Sequence, residues 1–114
     1  MANAAIDKQV QTYALFKARL KQEIKALISP ELIEEHRRQP LGRHSDALER
    51  VLNFFRRPPS YALYSRVAMR EWQMIRMPID PGAPPAPIDD VVYRSAEEAY
   101  HAVFMRHVND LMAS

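Results

Sequence analysis

The chain has 114 residues, 47% hydrophobic and 26% charged, with a formal net charge of +2. That describes one ordinary soluble domain with a modest core. It has no cysteine, so disulfides and thiolate metal sites are excluded. No apolar run approaches the ~20 residues of a membrane span. The N-terminus, MANAAIDKQV, lacks the charged-then-apolar pattern of a secretory leader. A cytoplasmic location is the simplest reading.

The charge is unevenly placed. Lys8, Lys17, Lys21 and Lys25 are the only lysines, and every arginine except Arg19 follows them. Arginine is enriched at protein interfaces and lysine depleted, which gives the later part the character of a docking surface.

Residues 4–28 predict one long amphipathic helix. Ile6, Val10, Tyr13, Lys17, Leu20, Ile24 and Leu27 recur at helical spacing, with only Lys17 polar. The expected role of this seam is core packing, with the Lys17 methylenes laid along it. Ser29-Pro30-Glu31 then restarts the chain: N-cap, proline at the first helical position, acid next. The second helix spans about 30–38, with Leu32, Ile33 and His36 toward the core. Pro40 and Gly42 end it.

The third helix spans about 46–57. Ser45 is its N-cap, and Asp46 and Glu49 put negative charge in its first turn, where the helix dipole favours it. Leu48, Val51, Leu52 and Phe55 make one apolar face. Arg56 and Arg57 suit the C-terminal end, and Pro58-Pro59 stops the helix. Phe54 lies off the apolar face beside Arg50 and Arg57, which suggests a second contact surface.

Residues 61–79 are bracketed by Pro58-Pro59 and Pro78, which favours two strands over a competing helix at 62–77. Trp72 and Met74 fall on one side and Ile75, Met77 and Ile79 on the other, so a bulge is expected there. PIDPGAPPAP is an extended connection. Val91-Val92-Tyr93 predicts a third short strand. Ser95 and Glu98 form a capping box that opens a last helix at about 96–112, striped by Tyr100, Phe104, Val108 and Leu111. The expected fold is α+β and mostly helical: N-terminal helices, a small antiparallel sheet of about three strands and a C-terminal helix. It is a single domain over 1–114, with its compact part at about 30–112.

Candidate chemistry is sparse. Glu98 and His101 have the E-x-x-H spacing of di-iron bundles, but such sites need a second pair and two more glutamates. Glu97 and His101 could instead pair at i, i+4. His44-Ser45-Asp46 is better explained as a helix-capping turn than as a triad, because adjacent side chains diverge. Two glycines cannot build a phosphate loop. Arginines alternating with Phe54, Phe55, Tyr61 and Tyr64 would suit a single-stranded nucleic acid. Glu34, Glu35, Asp46, Glu49 and Glu71 interrupt that footprint, which argues against it.

Several segments taken together resemble a known family. They are Ile33-Glu34-Glu35-His36, Pro40-Leu41-Gly42, His44-Ser45, Leu48, and Val51-Leu52-Asn53-Phe54-Phe55-Arg56. Arg70-Glu71-Trp72 with Ile75, Glu97-Glu98-Ala99, His101-Ala102-Val103-Phe104, Arg106 and Asp110 continue the series. Over about 30–112 this set is similar to the small subunit of N,N-dimethylformamidase and related small proteins. The proline-rich loop at 81–87 departs from the family's pattern, as does Tyr61-Ala62-Leu63-Tyr64, where the family has a Tyr-rich stretch.

The resemblance implies a small helical subunit bound to a much larger one. That enzyme hydrolyses N,N-dimethylformamide to dimethylamine and formate. Its iron, held by tyrosines and a glutamate, and its catalytic residues would lie on the large subunit. No catalytic residue, cofactor or metal ligand is then expected in this chain. Phe54, Arg56, Arg57, Tyr61, Tyr64, Arg70 and Trp72 are the interface candidates, since aromatic and arginine side chains dominate hot spots. Burial in the chain's own core competes with that role for Phe54, Tyr61 and Trp72. An independent adaptor or regulatory protein is the alternative function, and a small nucleic-acid-binding module the next.

Overall fold

The structure, a computed structural model, describes residues 4–56 and 60–114, with side chains from Lys8 onward. Four helices and three strands follow in the order α1 (Ala4–Leu27), α2 (Pro30–Arg38), α3 (Asp46–Phe55), β1 (Tyr61–Val67), β2 (Glu71–Arg76), β3 (Ala86–Pro87) and α4 (Ala96–Ala113). The fold is α+β and mostly helical, with an antiparallel sheet in the order β1-β2-β3.

Serine side chains start three of the helices. Ser29 Oγ accepts from Leu32 N, Ser45 Oγ from Leu48 N and Ser95 Oγ from Glu98 N. Each cap satisfies one of the orphan N–H groups of a first turn. Helix α2 is further secured by Arg37 and Arg38, which both reach Glu34. The Arg37 hydrogen bond is the main reason the Glu34 carboxyl titrates at about 2.

The core lies where α1, α3 and α4 meet. Ile24, Leu32, Leu48, Val51, Phe55, Phe104, Val108 and Leu111 form one buried cluster. Leu48 and Val51 are fully buried, each contributing about 1.5–3 kcal/mol by removal from water. The α3 face read from spacing is thus the centre of the fold. Residues 57–59, which include the expected helix stop, lie outside the described residues.

Helix α1 joins this core only at its C-terminal end. Leu20, Ile24 and Leu27 pack, but every residue from Lys8 to Arg19 is exposed. The expectation that the whole seam packs in the core is therefore corrected: among the described residues nothing folds back over Val10 and Tyr13, and the Ile6 side chain lies outside them. The projecting helix helps raise the Cα radius of gyration to 16.9 Å, against about 13 Å for a compact domain of this length.

The hairpin β1–β2 confirms two strands at 61–76 and excludes the helix. Its irregularity falls between Ser65 and Val67 on β1 rather than on β2. Glu71 to Arg76 run in regular alternation, with Met74 opposite Leu63 and buried. The third strand is also displaced. Ala86 and Pro87 pair with Arg76 and Ile75, and of the Val91–Tyr93 segment only Tyr93 bridges, through two 2.8 Å bonds with Trp72. A proline that cannot donate is tolerated at a sheet edge. No helix among the described residues is long and apolar enough to cross a membrane.

Candidate interaction surface

The described interface candidates fall on different faces. In an antiparallel pair, opposed residues share a face and neighbours alternate. Tyr61, Leu63 and Ser65 therefore share a face with Arg76, Met74 and Trp72, while Tyr64 and Gln73 lie on the other. Buried Tyr61 and Met74 mark the first face as the inner one.

Tyr61 is only 6% exposed, so it offers a partner little surface. Its hydroxyl donates to Asp110 Oδ2 on α4. Arg106 Nε donates back to that hydroxyl at 3.5 Å. The guanidiniums of Arg76 and Arg106 sit 5.6 and 5.5 Å from the ring centroid. A strand-to-helix tie thus uses the residue that sequence pattern offered to a partner. Trp72 is half-buried on the same face, opposite Ser65 toward the other end of the hairpin.

Tyr64 is 56% exposed. Arg70 closes the hairpin turn, donating N–H to Val67 O at 3.0 Å, and is exposed. Arg56, the exposed C-cap of α3, donates to Asn53 Oδ1 at 3.3 Å. Arg57 lies outside the described residues. Phe54 is half-buried and packs at the edge of the core. It also walls a groove of about 580 Å³ between α1 and α3, with Lys17, Leu20, Lys21, Ile24, Arg50 and Asn53.

Histidines form a second constellation. His36 on α2 and His101 on α4 meet Nδ1 to Nδ1 at 2.9 Å. The His36 ring lies flat on Phe104, with centroids 4.0 Å apart. The His44 ring lies near it as well, with centroids 6.0 Å apart. His44 in turn bonds Gln39 O at 2.7 Å and Glu49 Oε1 at 3.2 Å. Burial, reinforced by the charges of His101 and His44, lowers the His36 pKa to about 4. Burial likewise lowers His101 and His107. These rings are held neutral near pH 7.

Ser45 acts as the predicted cap and does more. Its hydroxyl and backbone N–H both donate to Glu35, at 2.7 and 2.6 Å, which ties α2 to the start of α3. His101 bonds His36 across the fold, away from the expected i, i+4 pairing with Glu97. Among the described residues no group of three or more His, Cys, Asp or Glu is placed to hold a metal ion. The arrangement of these side chains can bury, brace and dock.

A family model and two named relatives agree on what the chain is similar to. A family model described as N,N-dimethylformamidase alpha subunit matches residues 11–114. A protein named N,N-dimethylformamidase alpha subunit from Alcaligenes sp is 36% identical, over 94% of this chain and 86% of its own length. A protein of the same name from Paracoccus aminophilus is 35% identical, over 92% and 79%. The match begins well before residue 30, so it takes in most of α1 as well as the compact part that carries the motifs. With that extent and identity, the chain belongs to the N,N-dimethylformamidase alpha subunit family.

Proposed function

We propose that this chain is the non-catalytic small subunit of an amide hydrolase. It would assemble with and stabilise a large iron-dependent subunit that hydrolyses N,N-dimethylformamide, or a related small N-alkyl amide, to amine and carboxylate. The observation that carries the reading is the family match over nearly the whole chain. The subunit name borne by the relatives implies an oligomer with another subunit. On this reading the iron and the reacting groups stay with the large chain, and this chain supplies buried surface. A cytoplasmic location goes with it and suits a chain without cysteine.

The test is native mass and metal content of the tagged chain purified from its own host at modest salt. A stable complex with a large, iron-bearing chain that hydrolyses small amides is the expected result. A metal-free species with no large companion would sink the constitutive-subunit reading.

A further inference from the structure

The seam of α1 is one continuous feature with two fates. Val10, Tyr13, Phe16, Lys17, Leu20 and Ile24 lie within an arc of about 120° at helical spacing. Ile24 is 2% exposed, whereas Val10, Tyr13 and Phe16 are 60–62% exposed. Residues 8–19, about 18 Å of helix, carry large apolar side chains into solvent with no cover from the other described residues. The bare stretch then runs into the groove between α1 and α3, whose floor is Leu20 and Ile24 and whose far wall is Phe54 and Arg50.

The charge along this surface is mainly positive. From Lys8 to Lys21 the helix carries Lys8, Lys17, Arg19 and Lys21 and no acid. Lys17 lies over the Tyr13 ring at 5.0 Å, and Arg50 adds a guanidinium across the groove, where it also reaches Glu23 at 3.8 Å. A second copy of the chain would bring cations against cations. A flat bilayer would meet the α3 wall before it covered the groove floor. A concave apolar floor with a cationic rim fits an amphipathic protein segment bearing acidic side chains.

We propose that the bare half of α1 and the α1–α3 groove form one docking site for an acidic amphipathic segment of the large subunit. This rests on the subunit reading above and locates the contact within it. The site is apart from Tyr61 and Trp72, so α1 rather than the sheet becomes the principal arm of assembly.

The test compares the tagged wild-type chain with Y13E/F16E and K17E/K21E, each purified from its own host in place of the wild-type chain. The changed residues are outside the buried core cluster, so helicity and melting temperature should match wild type. Ile79→Glu, at a fully exposed position away from α1, is the control. The expected result is that wild type and I79E retain the large chain, while both double variants retain about tenfold less or lower still. All four lysines lie on α1. A zero-length amine-to-carboxylate cross-linker on the wild-type complex should therefore join Lys17 or Lys21 to acidic residues of the large chain. Equal retention by the double variants would overturn the site and leave the subunit reading standing. A wild-type chain that retains no large chain would overturn both. Binding to anionic phospholipid vesicles, or self-association, that is lost in the same variants while the large chain stays bound would reassign the surface and overturn the proposal.

Discussion

His36 and His101 share a single hydrogen bond, Nδ1 to Nδ1 at 2.9 Å, although 65 positions separate them in sequence. One of the two nitrogens carries the hydrogen and the other accepts it. A second proton would set two N–H groups against each other in a site where His36 is 3% exposed. The pair therefore joins α2 to α4 only while it is not doubly protonated.

A pH dependence of stability follows, and its sign is fixed by the lowered pKa. His36 titrates at about 4 in the folded chain against 6.5 when unperturbed. Between those values the unfolded chain binds more protons, so stability is full above about pH 6.5 and is lost as pH falls toward 4. The 2.5-unit difference corresponds to a loss on the order of 3 kcal/mol. His101 and His107, also lowered by burial, act in the same direction. Urea unfolding across about pH 4.5–7.5, which spans the ordinary histidine range, should show this slope. His36→Phe, which keeps a flat ring on Phe104, should flatten it. An unchanged slope in that variant would remove His36 as its source.

The Tyr61 hydroxyl ties β1 to α4 through Asp110, and the ring is enclosed by Arg76, Arg106 and His107. Tyr61→Phe keeps the ring and leaves Asp110 without this donor. A hydrogen bond to a charged group is worth about 1.5–3 kcal/mol. The expected loss is about 1.5 kcal/mol in chemical denaturation, with assembly intact. A loss in assembly with no loss of stability would return Tyr61 to the interface.

What could be read from sequence was what local chemistry dictates. Ser29, Ser45 and Ser95 announce their helices because a cap is built from residues three apart. The α3 core face was legible for the same reason. The seam of α1 was legible as a helix face, yet periodicity does not say what covers it, and Val10 and Tyr13 proved bare. Val91-Val92-Tyr93 has the β propensity, but Ala86-Pro87 took the edge position, since sheet pairing is settled by neighbours rather than by propensity. The irregularity expected on β2 sits on β1, because slipping either strand resets the same register. His36 meeting His101, and Tyr61 meeting Asp110, have no local signal.

Met69 at the hairpin tip has φ 62, the left-handed region that side chains with a Cβ avoid, and it is 86% exposed. Its side chain therefore gains little from packing while the backbone bears strain. Met69→Gly relieves the strain at some cost in unfolded-chain entropy. Strain of about 1–2 kcal/mol against an entropy cost of about 0.4–1 kcal/mol leaves a net gain of about 0.5–1 kcal/mol, measured as a raised denaturation midpoint. A lower midpoint would mean the Met69 side chain makes a stabilising contact.

Tyr64 and Trp72 separate docking by the sheet from support by the sheet. Tyr64 is on the outer face and exposed, so Tyr64→Ala should leave the stability of the chain within about 0.5 kcal/mol. Trp72 is half-buried on the inner face and bridges Tyr93 through its backbone. Trp72→Ala removes a large ring and should cost about 2 kcal/mol, somewhat less than a fully buried aromatic. On the subunit reading, Trp72→Ala weakens assembly by loosening the hairpin, while the turnover of each complex that still forms is unchanged. Tyr64→Ala weakens assembly only if the outer face touches the large chain. Native mass and turnover per assembled complex, measured on both variants, distinguish these effects. A Trp72→Ala complex that assembles fully but turns over slowly would place this chain closer to the chemistry than a purely supporting subunit.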